Sequence, residues 1–326
     1  MRLIQISDYQ HQTMVLAKPV YDKNKRILLA AGRTIDPKIK ARLENMGINF
    51  LFIEDEVSKG ITIDDMLDMP TWTDAIQIVQ AFYQQAGTTR TPDIQGLQQV
   101  ANQLIQEVKN RPTLVMIPTA TMTKELQPYA HSVNVAILGL LIGKKLSYND
   151  VKLRDLAIGC LLHDIGKELT DTYEDHPEQG FHYIRGISQL SALSAHVAYQ
   201  HHERFDGKGF PRQITGKDFI EFGQIGAIAD RYDHLISIEK IAPHDAMEAI
   251  MASSGTHFSH PIVTAFSRSV LTYPPGTKVR TNHHEQAIVT EINKHLQRPK
   301  IKILATGNEI DLTKQTTYVI QPHETA

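Results

Sequence analysis

Leu161-Leu162-His163-Asp164-Ile165-Gly166-Lys167, then His176-Pro177, then His201-His202-Glu203-Arg204-Phe205-Asp206-Gly207-Lys208-Gly209-Phe210-Pro211 form the stretch around which the chain is organised. Imidazole nitrogens together with a carboxylate suit borderline or hard divalent metals such as iron, manganese or zinc. The chain has a single cysteine, so no thiolate set competes with this reading. Successive residues of a helix point about 100° apart, so His163 and Asp164 reach one metal only where their helix ends, and Ile165-Gly166 fits that ending. Lys167 follows one turn later on the same side, where its ammonium can meet a phosphate beside the metals. His201-His202 repeats the arrangement from a second helix, and Asp206-Gly207-Lys208-Gly209-Phe210-Pro211 after it reads as a tight loop.

Single histidines carry little weight, and His182, His196, His234 and His244 are taken as ordinary core or surface residues. The weight lies in order and spacing: His131, His163-Asp164, His176, His201-His202, and Asp230 within Ala227-Ile228-Ala229-Asp230-Arg231-Tyr232-Asp233, all on alternating amphipathic helices.

The pattern H…HD…H…HH…D, with HDIGK, HHERFDGKGFP and AIADRYD, resembles the HD-GYP subgroup of the HD-domain metal-dependent phosphohydrolases over roughly residues 129–237. That resemblance implies an all-helical domain holding two or three metals, usually iron or manganese, that hydrolyses a phosphodiester of cyclic di-GMP to pGpG and/or GMP. It implies His131, His163, Asp164, His176, His201, His202 and Asp230 as metal ligands, with Asp164 bridging and Lys167 contacting phosphate. Asp206, Gly207 and Phe210 of the loop, together with Lys167 and Lys240, are the expected substrate contacts. Phe210 stands where the subgroup's name has tyrosine. Gln127 stands where three-metal members carry glutamate, so two divalent ions are expected. Glu239 and Ala242 stand where many members carry phosphate-facing arginines, which weakens the cyclic di-GMP assignment more than the hydrolase one.

Across 326 residues, 41% of them hydrophobic, there is material for more than one core. A formal net charge of −2 disfavours nucleic acid as a bulk partner. Cys160 sits among Ala157, Ile158, Leu161 and Leu162 and reads as packing in a reducing compartment. The most apolar run, 133–146, is interrupted by Asn134, Lys144 and Lys145, so no membrane span and a cytoplasmic location are expected.

The expected class is mainly α, a helical bundle with a small N-terminal α/β unit and a C-terminal β appendage. The expected divisions are 1–56 (a small α/β unit, regulatory or a structural cap), 57–72 (an acidic linker), 73–271 (the helical catalytic part) and 272–326 (short strands). Helices are expected over 73–85, from Thr91-Pro92 onward, and over 129–146, 153–166, 176–186, 187–202 and 219–237, with two more before 271. The apolar stripe Ile94, Leu97, Val100, Leu104, Val108 is core or a dimer face, so a homodimer stays among the expected partners beside a cyclic dinucleotide or related nucleotide. Between Lys167 and His176 lies only a short acidic loop, which predicts a more open pocket on that side. His283-His284, on a turn without a carboxylate nearby in sequence, reads as solvated surface.

The chemistry expected is two-metal activation of a bridging water for in-line attack. Two other outcomes are weighed: a weakly active or inactive nucleotide-binding signalling module, or a phosphohydrolase acting on a different cyclic nucleotide.

Overall fold

The computed structural model describes residues 1–64, 66–88, 92–292 and 295–321. In the N-terminal part, strands β1 (Arg2–Gln5), β2 (Val15–Leu16) and β5 (Phe50–Glu54) form an antiparallel sheet with β5 in the centre. A hairpin of β3 (Val20–Tyr21) and β4 (Ile27–Leu29) stands beside it. Helix α1 (Pro37–Asn45) starts where Asp36 accepts the amide of Ile39 at 2.8 Å and gives way at Gly47, whose φ of +85° suits a residue without Cβ. Ile4, Leu16, Ile35, Leu43, Ile48 and Ile53 make this part's own apolar cluster.

The helical part follows: α2 (Met69–Gln85), α3 (Ile94–Asn110), α4 (Gln127–Lys145), α5 (Asp150–Leu161), α6 (His176–Arg185), α7 (Ala192–Gln200), α8 (Glu221–Ser237), α9 (Pro243–Ala252) and α10 (His260–Ser267). Helix α4 is apolar around its whole circumference and is buried by α2, α3, α5 and α8, as such a helix must be. The chain closes in an antiparallel five-stranded sheet, order β10-β6-β7-β8-β9, from β6 (Lys278–Thr281), β7 (Gln286–Glu291), β8 (Lys300–Ile303), β9 (Glu309–Asp311) and β10 (Ile320–Gln321). The class is mainly α with small sheets at both termini. Among the described residues no helix is long and apolar enough to cross a membrane.

Several boundaries differ from expectation. The stretch expected as a linker, 57–72, is largely core: Ile63, Met66 and Leu67 are buried with the helices, and α2 begins at Met69, capped by Asp68, which accepts the amide of Thr71. Acidic neighbours concealed an apolar run there. Thr91 lies outside the described residues, and α3 is capped by Asp93 instead. Helix α5 stops at Leu161, before the His-Asp pair, and α7 starts only at Ala192, where the Ser191 hydroxyl accepts the amide of Leu193. Strands β1 and β9, four and three residues long, are too short for alternation to reveal.

Helix α7 lies against α5 and α8 at two glycines. A Cβ on Gly159 would stand 2.6 Å from Val197 Cγ2 and 2.8 Å from the Ser194 carbonyl oxygen, and one on Gly226 2.5 Å from Val197 Cγ1. This contact sets the end of α7, where His201 follows, beside the ends of its neighbours. Gly159→Ala and Gly226→Ala are each expected to lower stability by about 1–3 kcal/mol through overpacking, read as a fall in the thermal midpoint. Ala195→Gly, at a buried position of the same helix, serves as a propensity control with an expected loss of about 1 kcal/mol.

Candidate metal centre

Helix α5 gives out at Leu161, and His163-Asp164 occupy the turn before a 3-10 segment, Ile165–Glu168. The His163 Nδ1–H donates to the Cys160 carbonyl at 2.8 Å. The same closure, onto the carbonyl three residues upstream, recurs at His201 with Ala198 (2.8 Å) and at His176 with Tyr173 (2.5 Å). A carbonyl only accepts, so each ring carries a proton on Nδ1 and turns Nε2 toward the group, where Nε2 of His176 and of His201 lie 3.2 Å apart. All three rings are buried.

These nitrogens converge on one carboxylate. Asp164 Oδ1 lies 3.4 Å from His176 Nε2 and 3.5 Å from His201 Nε2, while Oδ2 lies 3.5 Å from His163 Nε2 and 2.6 Å from Lys167 Nζ. His163 Nε2 and Asp164 Oδ1 are buried without a hydrogen-bond partner among the described residues. Donor atoms of Asp164, His176, His201 and His202 lie within 4.8 Å of one another, as do those of His131, His163 and Asp164, so Asp164 belongs to both groups. Buried lone pairs without hydrogen donors fit a divalent cation, since leaving such atoms unpartnered costs about 1–3 kcal/mol each. A Cβ on Gly166 would stand 1.9 Å from the His176 carbonyl oxygen, so only glycine lets this turn meet the start of α6.

His131 on α4 is gripped by two carboxylates of α8, with Nε2 2.9 Å from Asp230 Oδ1 and Nδ1 2.7 Å from Asp233 Oδ2. Asp233 is oriented in turn by Asn134 Nδ2 (2.7 Å) and the Ser237 hydroxyl (3.2 Å), and Asn134 Oδ1 accepts the indole N–H of Trp72 at 3.1 Å. Asp233, Asn134 and Trp72 are not among the site residues expected from the sequence. The signal for the first two is their spacing, three residues after Asp230 and three after His131, on the same helical faces.

Burial drives the His163 pKa down to about 3 and that of His202 to about 2, so both rings are neutral at pH 7. For His131 burial opposes the charge, but the hydrogen bonds it donates to Asp230 and Asp233 outweigh it and hold the pKa at about 10. Burial also works against the Asp164 carboxylate, yet the surrounding imidazoles and Lys167 keep its pKa well below the usual range. Burial alone pushes the Cys160 thiol up, which removes it as a nucleophile.

The remaining expected contacts divide. Phe210 stacks on His202, ring centroids 4.6 Å apart at 18°, and stands in the mouth of the group. Asp206 is taken by Arg204 in a two-point ion pair, 2.9 and 2.6 Å, and Gly207 turns the loop at φ +75°. Buried Glu203, missed in sequence, holds that loop by accepting the amides of Arg212 and Ile214. Lys240 is not brought to this group; it lines a cavity that contains none of the proposed ligands. Gln127 donates to the Gly47 and Met122 carbonyls. Glu239 binds Arg231 at 2.6 Å. The side expected to be open is partly filled by Tyr173, whose hydroxyl is hydrogen-bonded with Nε2 of His202 at 3.2 Å.

Residues 129–235 match the family model described as HD domain. A cyclic di-GMP phosphodiesterase of Pseudomonas aeruginosa is 28% identical over 245 residues, covering 69% of this chain and 59% of that protein. A cyclic di-GMP phosphodiesterase of Vibrio cholerae is 34% identical over 131 residues, 32% of this chain and 27% of that protein. This chain thus spans less than two thirds of the length of either relative. A solved HDG"Y"P protein of Bdellovibrio bacteriovorus superposes with a TM-score of 0.49 at 15% identity, covering 81% of this chain and 97% of that one. The matched region, about a third of the chain, contains every proposed metal ligand.

Proposed function

We propose that this chain is a metal-dependent phosphodiesterase that hydrolyses cyclic di-GMP, using two divalent ions that share Asp164. The observation that carries the reading is the pair of donor groups meeting at that one carboxylate, where His163 Nε2 and Asp164 Oδ1 are buried without a partner among the described residues. The names of the relatives from Pseudomonas and Vibrio support the substrate class.

His176, His201 and His202 would hold one ion and His131 and His163 the other, with Asp230 beside the second group. Divalent ions bound there would acidify a water and offset charge on phosphate oxygens. The protein's own contribution is arrangement. Asp164 turns Oδ1 to one group and Oδ2 to the other. Lys167 brings an ammonium to the edge of the same carboxylate, where it offsets charge developing on a phosphate. Phe210, parallel to His202, offers a ring face to a base.

The deciding experiment is hydrolysis of cyclic di-GMP, beside 3'3'-cGAMP and cyclic-di-AMP, by protein loaded anaerobically with iron(II) or manganese(II), with metal content measured on the same samples. Turnover of cyclic di-GMP is expected. Asp164→Ala is expected to lose bound metal and about a thousandfold or more in rate, and Lys167→Ala about a hundredfold with metal content intact. Full loading without turnover of any of the three would leave the reading of a nucleotide-binding module.

Asp233→Asn keeps the shape of the His131 partner but removes its charge, and metal affinity is expected to fall about 10–100-fold, measured by titration with manganese. The metal-free protein carries a pH signature. His131 is raised from about 6.5 in the unfolded chain to about 10 in the fold. Its contribution to stability is therefore full below pH 6.5 and is lost as pH rises through 10. The thermal midpoint of metal-free protein should fall between pH 7 and pH 10; a His131→Gln variant with an undiminished slope would contradict this origin.

A further inference from the structure

Away from the metal centre, the N-terminal sheet, the segment 114–118, the end of α8 and the approach to β6 enclose a cavity of about 270 Å3. Its walls are apolar, with Phe50, Phe52, Leu114, Met116 and Ile236 among them. Its charged lining is lopsided. Arg2 is neutralised by Asp55 at 2.8 Å, and Asp8 is the one carboxylate in the lining. Lys240 and Lys278 also line it, and among the described residues no hydrogen bond or ion pair engages either ammonium. Lys240 has a φ of +58°, as do Lys25, Ser147, Gln213 and His284 within a few degrees. At about 30 Å3 per water-sized atom the cavity takes about nine or ten non-hydrogen atoms.

We propose that this cavity binds a small amphipathic carboxylate, an acyl chain of about eight carbons with its head group between Lys240 and Lys278, and that occupancy acts on His131. The link is covalent on one side and hydrogen-bonded on the other. The cavity wall 114–118 continues into Thr119, whose amide donates to Ser237 Oγ at 3.0 Å, and the wall's Ile117 carbonyl accepts Asn134 Nδ2 at 2.8 Å. Asn134 and Ser237 both donate to Asp233 Oδ1, and the other oxygen of Asp233 holds His131. A ligand that displaces this segment therefore displaces the carboxylate that orients a proposed metal ligand. Trp72, the only tryptophan, donates to the same Asn134 and is a built-in reporter.

Octanoate, titrated below its micellar concentration into the metal-free full chain, is the probe. One-to-one binding by calorimetry is expected, with a shift in Trp72 emission of the same midpoint. The double variant Lys240→Ala/Lys278→Ala, outside the metal groups, should bind octanoate about tenfold more weakly, and octanol should bind wild-type protein more weakly by a similar factor. Octylamine should not bind. Absence of saturable binding, equal affinity for octanol, or undiminished binding by the double variant would overturn the site. Calorimetric binding with Trp72 emission unchanged would overturn its connection to His131.

Discussion

Three imidazole N–H groups, each turned back onto the carbonyl three residues upstream, set the terms for the rest of this molecule. His163, His176 and His201 satisfy Nδ1 locally and turn Nε2 inward. They stand round one buried carboxylate, Asp164, whose shortest side-chain partner is Lys167 at 2.6 Å. An arrangement with unpartnered buried acceptors opposes the usual preference of a fold for satisfied polar groups. It persists because the histidines sit at helix termini, His163 and His201 just past the ends of α5 and α7 and His176 at the start of α6, that the surrounding core holds.

Rigidity of that kind needs close backbones. Gly159 and Gly226 admit Val197 where an added methyl would collide, and Gly166 admits the backbone at the start of α6. His131 and Asp230 differ from the other groups in arriving from within helices rather than at their ends. Their alignment is governed by side chains instead, through Asp233, Asn134 and finally Trp72. One half of the centre is thus positioned by helix ends and backbone, the other by a buried polar chain reaching α2.

This division explains what the amino-acid sequence disclosed. Residues that end helices write themselves locally: His163-Asp164 before Ile165-Gly166, or His201-His202 before a glycine-rich loop, can be read without knowing what they pack against. Asp36-Pro37 and Gly47 declare α1 in the same way. Groups that act through a neighbour on another helix cannot be read so directly. Asp233 and Asn134 share a helical face with Asp230 and His131, but which helix each faces is a tertiary fact. Lys240 follows Asp230 closely enough in sequence to suggest shared work, yet α8 carries it away to another cavity. The acidic character of 57–72 hid Ile63, Met66 and Leu67, whose burial depends on the helices that receive them.

Charge accounting around the centre bears on what substrate it suits. Arg204 is committed to Asp206 and Arg231 to Glu239, each by a short ion pair. Lys167 is the cation that stands on the Asp164 carboxylate itself. A fixed arginine pair would favour any ligand with two phosphates, whereas one lysine on a flexible stem grips a single phosphate as a point charge. Discrimination among cyclic dinucleotides then falls to surfaces that read bases, the rings of Phe210 and Tyr173, 5.8 Å apart and both in contact with His202. Stacking of this kind tolerates many bases, so in the proposed enzyme the reacting phosphate is held more selectively than the nucleotide around it.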